Sequence, residues 1–139
     1  MKIYAYLHPQ LNILCCAVLP EAVPQGVQAI EFEVEDINDI IYDGTQIRLK
    51  TVEEKLNERK QEKLQQLKQI FASKIFQTDY IITKIEEARM LNQDIQPLLD
   101  RYSEKLQERQ QLRQRYEELK QAIQNATTLE ELNAIDLTL

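Results

Sequence analysis

Few side chains in this sequence are of the types that do acid–base or covalent chemistry. His8 is the single histidine, and it precedes Pro9 in a run of turn residues, His8-Pro9-Gln10-Leu11-Asn12. A general base must sit within reach of the proton it takes, yet no nucleophile motif surrounds this imidazole. Cys15 and Cys16 are the only cysteines and are adjacent. Neighbours on a strand face opposite sides, so a disulfide between them would be strained, and two thiols alone make a poor metal site. They read as small apolar strand residues. Gly26 and Gly44 are isolated, which excludes a glycine-rich phosphate loop. Glu31, Glu33, Glu35 and Asp36 cluster without the spacing of a calcium loop, so an acidic strand face is the reading preferred. The inventory therefore leads to the expectation of no catalytic residue, no cofactor and no metal site. The chain reads as a binding protein and not as an enzyme.

Charge narrows the partners. With 23 acidic against 17 basic residues the net charge is -6, whereas phosphate neutralisation calls for a basic face. Arg109, Arg113 and Arg115 sit among glutamates and glutamines, so no nucleic-acid partner is expected. No run approaches membrane-spanning length and the opening Met1-Lys2-Ile3-Tyr4-Ala5-Tyr6-Leu7 is not a secretory leader, which implies no membrane partner and a cytoplasmic location.

The elements that would position a binding surface follow from periodicity. Two glycines and four prolines in 139 residues favour long helices. Residues 1–50 nevertheless read as a small antiparallel β module. Residues 2–7 alternate around Ile3, Ala5 and Leu7, a second apolar run covers residues 13–19, and residues 29–34 alternate apolar with acidic. Residues 36–40 allow one helical turn, and Asp43-Gly44 between two short apolar runs marks a hairpin. On the first strand Tyr4 and Tyr6 share the face opposite Ile3 and Ala5. If that face is open they form, with Glu31 and Glu33, the expected partner-binding set; if a helix covers it, the two rings are core.

Residues 51–139 read as helical, with helices over about 51–76, 78–92, 97–125 and 128–135, forming a helical hairpin or coiled coil. Thr51 with Glu54 and Thr128 with Glu131 have the spacing of capping boxes. Residues 57–63 lack apolar side chains and are expected either in solvent or against a partner. Residues 75–91 are apolar enough to centre a helical core, and Pro97 starts the helix after a reversal. In that helix Leu99, Tyr102, Leu106, Leu112, Tyr116, Leu119 and Ile123 recur in three and four steps, with Arg109 in one stripe position. So narrow a seam predicts an interface between chains, in a dimer or trimer. The closing short helix, with Leu129, Leu132 and Ile135 on one edge, is a docking element for its own chain or a neighbour.

Three stretches resemble small proteins encoded near tail-fibre genes of bacteriophages and prophages, tail-fibre assembly chaperones among them. They are MKIYAYL with IIYDGTQIRLK, then IFQTDYIITKIEEA, and LQERQQLRQRYEELKQAIQNATTLEELNAID. The resemblance implies a non-enzymatic assembly factor or accessory subunit. It would bind a tail-fibre or other tail protein in the host bacterial cytoplasm, and it could stay with the virion. The alternative is a permanent structural coiled-coil component of a phage tail or another multiprotein particle.

Overall fold

The computed structural model describes all 139 residues, which fall into two compact units, Met1–Lys55 and Leu56–Leu139. The class is α+β: antiparallel strands first, then helices. No helix is long and apolar enough to cross a membrane.

In the first unit β1 (Lys2–Leu7) is the centre of a three-stranded sheet, with β2 (Leu14–Ala17) on one side and β3 (Ile30–Glu33) on the other. Both pairings are antiparallel, with Ala5 opposite Cys16 and Ile30, and Tyr4 opposite Ala17 and Glu31. The β1–β2 turn is closed by the His8 N–H donating to Ile13 at 2.8 Å, and Asn12 takes the left-handed conformation (φ 53°) that asparagine tolerates. A two-stranded hairpin, β4 (Ile40–Tyr42) and β5 (Ile47–Leu49), turns at Asp43-Gly44 with Gly44 at φ 90°. Ile3, Ala5, Val34 and Ile40 form the buried core, and Leu14, Cys16, Phe32 and Ile47 pack on it. The alternation along β1 thus sends Ile3 and Ala5 inward, as period two requires.

Helix α1 (Val52–Phe76) starts in the first unit from a reciprocal cap. The Thr51 N–H donates to Glu54 Oε1 at 3.0 Å and the Glu54 N–H to Thr51 Oγ1 at 3.2 Å. Helix α2 (Asp79–Met90) follows a short break and ends at Asn92, whose left-handed backbone (φ 55°) closes a Schellman motif. There the Gln93 N–H bonds the Ala88 carbonyl and the Asn92 N–H bonds that of Arg89. The single helix expected over 97–125 is two, α3 (Gln96–Arg101) and α4 (Ser103–Asn125), parted at Tyr102. Tyr102 serves both helices, its N–H donating to the Leu98 carbonyl at the end of α3 and its carbonyl accepting from the Leu106 N–H at the start of α4. Helix α5 (Leu129–Asn133) is shorter than the expected 128–135.

The main buried cluster of the helical unit is Leu67 of α1, Leu119 and Ile123 of α4, Ala126, and Leu132 of α5. Within residues 75–91, expected to centre the core, Ile81, Ile85 and Ala88 of α2 are buried but lie outside this cluster. Two of the seven residues expected in an interchain seam fall in the main cluster. Leu119 is 4% exposed and Ile123 0%, so neither has surface left for a second chain. Tyr116 stacks on Phe71 of α1 with ring centroids 4.4 Å apart, while Leu99, Tyr102, Leu106 and Leu112 are half-buried. Leu132 of α5 packs with Leu119 and Ile123 and covers them from within the chain, beside Leu67 of α1.

Candidate functional site

The four residues expected to meet a partner do share one surface. Directly paired residues of an antiparallel sheet project to the same face, and Tyr4 is paired with Glu31, Tyr6 with Cys15, and Lys2 with Glu33. Tyr4, Tyr6, Glu31 and Glu33 therefore lie together, opposite the face carrying Ile3 and Ala5. The tyrosines are half-buried and the glutamates exposed.

The acidity of this face is partly cancelled. Lys2 Nζ lies 3.2 Å from Glu31 Oε1, and the amino group of Met1 donates to Glu33 Oε1 at 2.8 Å. The hydrogen bond from that amino group holds the Glu33 carboxyl below the usual range, and the bond to Glu31 raises the Lys2 ammonium. These side-chain pairs are exposed, so they set local geometry more than stability. Cys16 lies on the inner face, where burial pushes its thiol up, away from the reactive thiolate.

Beside the tyrosine face runs a bare sheet edge. β2 pairs only with β1, and it is flanked by Leu11, Ile13, Val18 and Leu19, which are 65%, 53%, 64% and 64% exposed. Scattered surface apolars are normal, and these four stand just before and just after one edge strand in the chain. An incoming strand would find free backbone groups and apolar contacts together.

His8 has a local task. Its Nδ1 accepts from the Gln10 N–H at 3.2 Å and the Leu11 N–H at 3.0 Å, shaping the turn that leads into β2. No three His, Cys, Asp or Glu side chains gather as a metal site.

Two features escape the apolar pattern because they are made by long polar side chains. Arg109, only 8% exposed, donates through Nη1 to the Ile75 carbonyl at 3.0 Å, Thr78 Oγ1 at 2.8 Å and Asp79 Oδ1 at 2.9 Å. It fastens α4 to the α1–α2 corner, with a cation where α1 leaves its last carbonyls. In the apolar gap of α1, Lys60 donates to the Gln124 carbonyl at 3.0 Å and Lys63 to the Leu132 carbonyl at 2.6 Å, near the ends of α4 and α5. That segment is thus engaged by its own chain. The only signal in the sequence is the interruption of both stripes by cations.

No protein-family model, curated protein or solved structure matches the chain.

Proposed function

We propose that the chain is a non-enzymatic assembly factor that holds a partner protein by strand addition at β2. The observation that carries this reading is the unpaired outer edge of β2, with Leu11 and Ile13 exposed before the strand and Val18 and Leu19 exposed after it. A strand added there continues the sheet. Its side chains on one face come beside Cys15 and Ala17, next to the row of Tyr6 and Tyr4, so backbone bonds supply affinity and the tyrosine face supplies selectivity.

The partner named by the resemblance is a tail-fibre protein, met in the bacterial cytoplasm before assembly. A sheet edge suits this task because it binds an unfinished strand without demanding a particular side-chain sequence. The alternative of a permanent coiled-coil stem has less support, since Leu119 and Ile123 are already buried within the chain.

Co-expression with a tail-fibre protein tests the proposal. The two should co-purify, with a larger soluble fraction of the fibre, and Val18→Asp with Leu19→Asp should abolish both effects while leaving the helical spectrum intact. Retention of the complex by that variant would move the site elsewhere. Presence of the chain in purified particles would favour the permanent component.

A further inference from the structure

The turn between β1 and β2 is built around a titratable ring. Residues 3–20 hold no Asp, Glu, Lys or Arg, so His8 is the only side chain there whose ordinary charge change falls between pH 5 and 8. Two backbone bonds close the turn, from the His8 N–H to the Ile13 carbonyl at 2.8 Å and from the Asn12 N–H to the His8 carbonyl at 2.9 Å. Two more run to the ring, from the Gln10 N–H at 3.2 Å and the Leu11 N–H at 3.0 Å, both to Nδ1. A ring nitrogen that accepts carries no proton, so the imidazole is neutral here with its hydrogen on Nε2.

Imidazolium has two N–H donors and no acceptor. Protonation therefore removes both ring bonds at once and sets a new N–H against those of Gln10 and Leu11. Gln10, Leu11 and Asn12 are exposed, so water takes over the released groups and the turn loosens while the sheet stays paired. Asn12, at φ 53°, has most to gain, because a left-handed non-glycine residue keeps that conformation only while its surroundings fix it. By alternation His8 continues the face of Tyr4 and Tyr6, where Cys15 stands across β2 and Glu31 across β3. The charged members of that face, Lys2, Glu31 and Glu33, lie towards the far end of β1. The ring makes no ion pair that would hold the imidazolium in place of the lost bonds.

We propose that His8 is a proton-operated latch on the β1–β2 turn. Neutral, it holds residues 10–13 and the start of β2; protonated, it lets them loosen, and the β2 edge loses affinity for an added strand. Only that last consequence rests on the strand-addition reading.

The test is amide exchange by NMR on the full chain at pH 8 and pH 5, corrected for intrinsic rates, with long-range nitrogen–proton spectra reporting the ring tautomer. In the wild type Nδ1 should be unprotonated at pH 8. Protection of the N–H groups of residues 8 and 12 should fall at least about fivefold at pH 5, the effect of about one net hydrogen bond. His8→Asn supplies an acceptor for the backbone two residues on that does not titrate, so its protection should be the same at both pH values. His8→Ala should be as loose at pH 8 as the wild type is at pH 5. An equal fall in His8→Asn, no fall in the wild type, or a proton on Nδ1 at pH 8 would overturn the latch. A complex with co-expressed tail-fibre protein should be released at pH 5 by the wild type and kept by His8→Asn. Equal retention by both would overturn the control of the edge. Absence of a complex even at pH 8 would count against strand addition, and the exchange result would still decide the latch.

Discussion

Arg109 shows how one buried cation organises neighbouring elements. Its guanidinium serves a carbonyl, a hydroxyl and a carboxylate at the α1–α2 corner, and truncation leaves all three to find water or remain unpaired. Arg109→Met should therefore cost about 1–3 kcal/mol in urea unfolding, a range lowered by the half-exposed Asp79 side chain. Lysine should rescue only part, since one ammonium lacks the planar fork. Arg48 plays a related part in the first unit, joining Asp43 Oδ2 at 2.9 Å to Glu54 Oε1 at 2.7 Å. Backbone N–H groups of Gln46 and Thr45, with Arg48, hold the Asp43 carboxyl down to about 2, and Arg48 with Thr51 holds Glu54 down to about 2. Because folding lowers both values from 3.8 and 4.5, the folded state binds fewer protons. Their contribution is full above about pH 4.5 and disappears as pH falls towards 2. In Arg48→Met, carboxyl NMR titrations should show both groups moving back towards their ordinary values.

At the scale of elements, α5 depends on its cap and on one side chain. Thr128 Oγ1 accepts from the Glu131 N–H at 3.1 Å, and the Glu131 carboxylate reaches back to the N–H and hydroxyl of Thr127, one residue before the expected position. Thr128→Ala should cost about 0.5–2 kcal/mol. Leu132 is fully buried among Leu67, Leu119, Ile123 and Ala126, so Leu132→Ala should cost about 2–5 kcal/mol. Hydrogen exchange should separate the two changes. The first loosens mainly residues 127–133, while the second also opens α4 near Ile123, because it removes core volume.

At the scale of the molecule, two small cores replace one large one. Each core is small and has little reserve against mutation. Leu119→Lys places an ammonium inside the helical core. It should lower thermal stability sharply, with no dissociation of an assembly to see in light scattering. A drop in mass with the fold intact would restore the interchain seam.

Much of this organisation is local and so was open to reading in the chain. Alternation around Ile3 and Ala5, Asp43-Gly44, Thr51 with Glu54, and the three-four rhythm from Leu99 to Ile123 each depend on neighbours a few residues away. They determined an antiparallel module followed by helices and grouped Tyr4 with Tyr6. What tertiary structure decided was which surfaces remain free. A stripe states only that something apolar must cover it, and α5 provides that cover for Leu119 and Ile123 from within the chain. Long side chains add bonds that hydrophobic period cannot register, as with Lys60, Lys63 and Arg109 reaching carbonyls at helix ends. The bare edge of β2 likewise became visible only with the strand order, because pairing is a relation between distant segments and each strand's own residues read alike at an edge or at the centre.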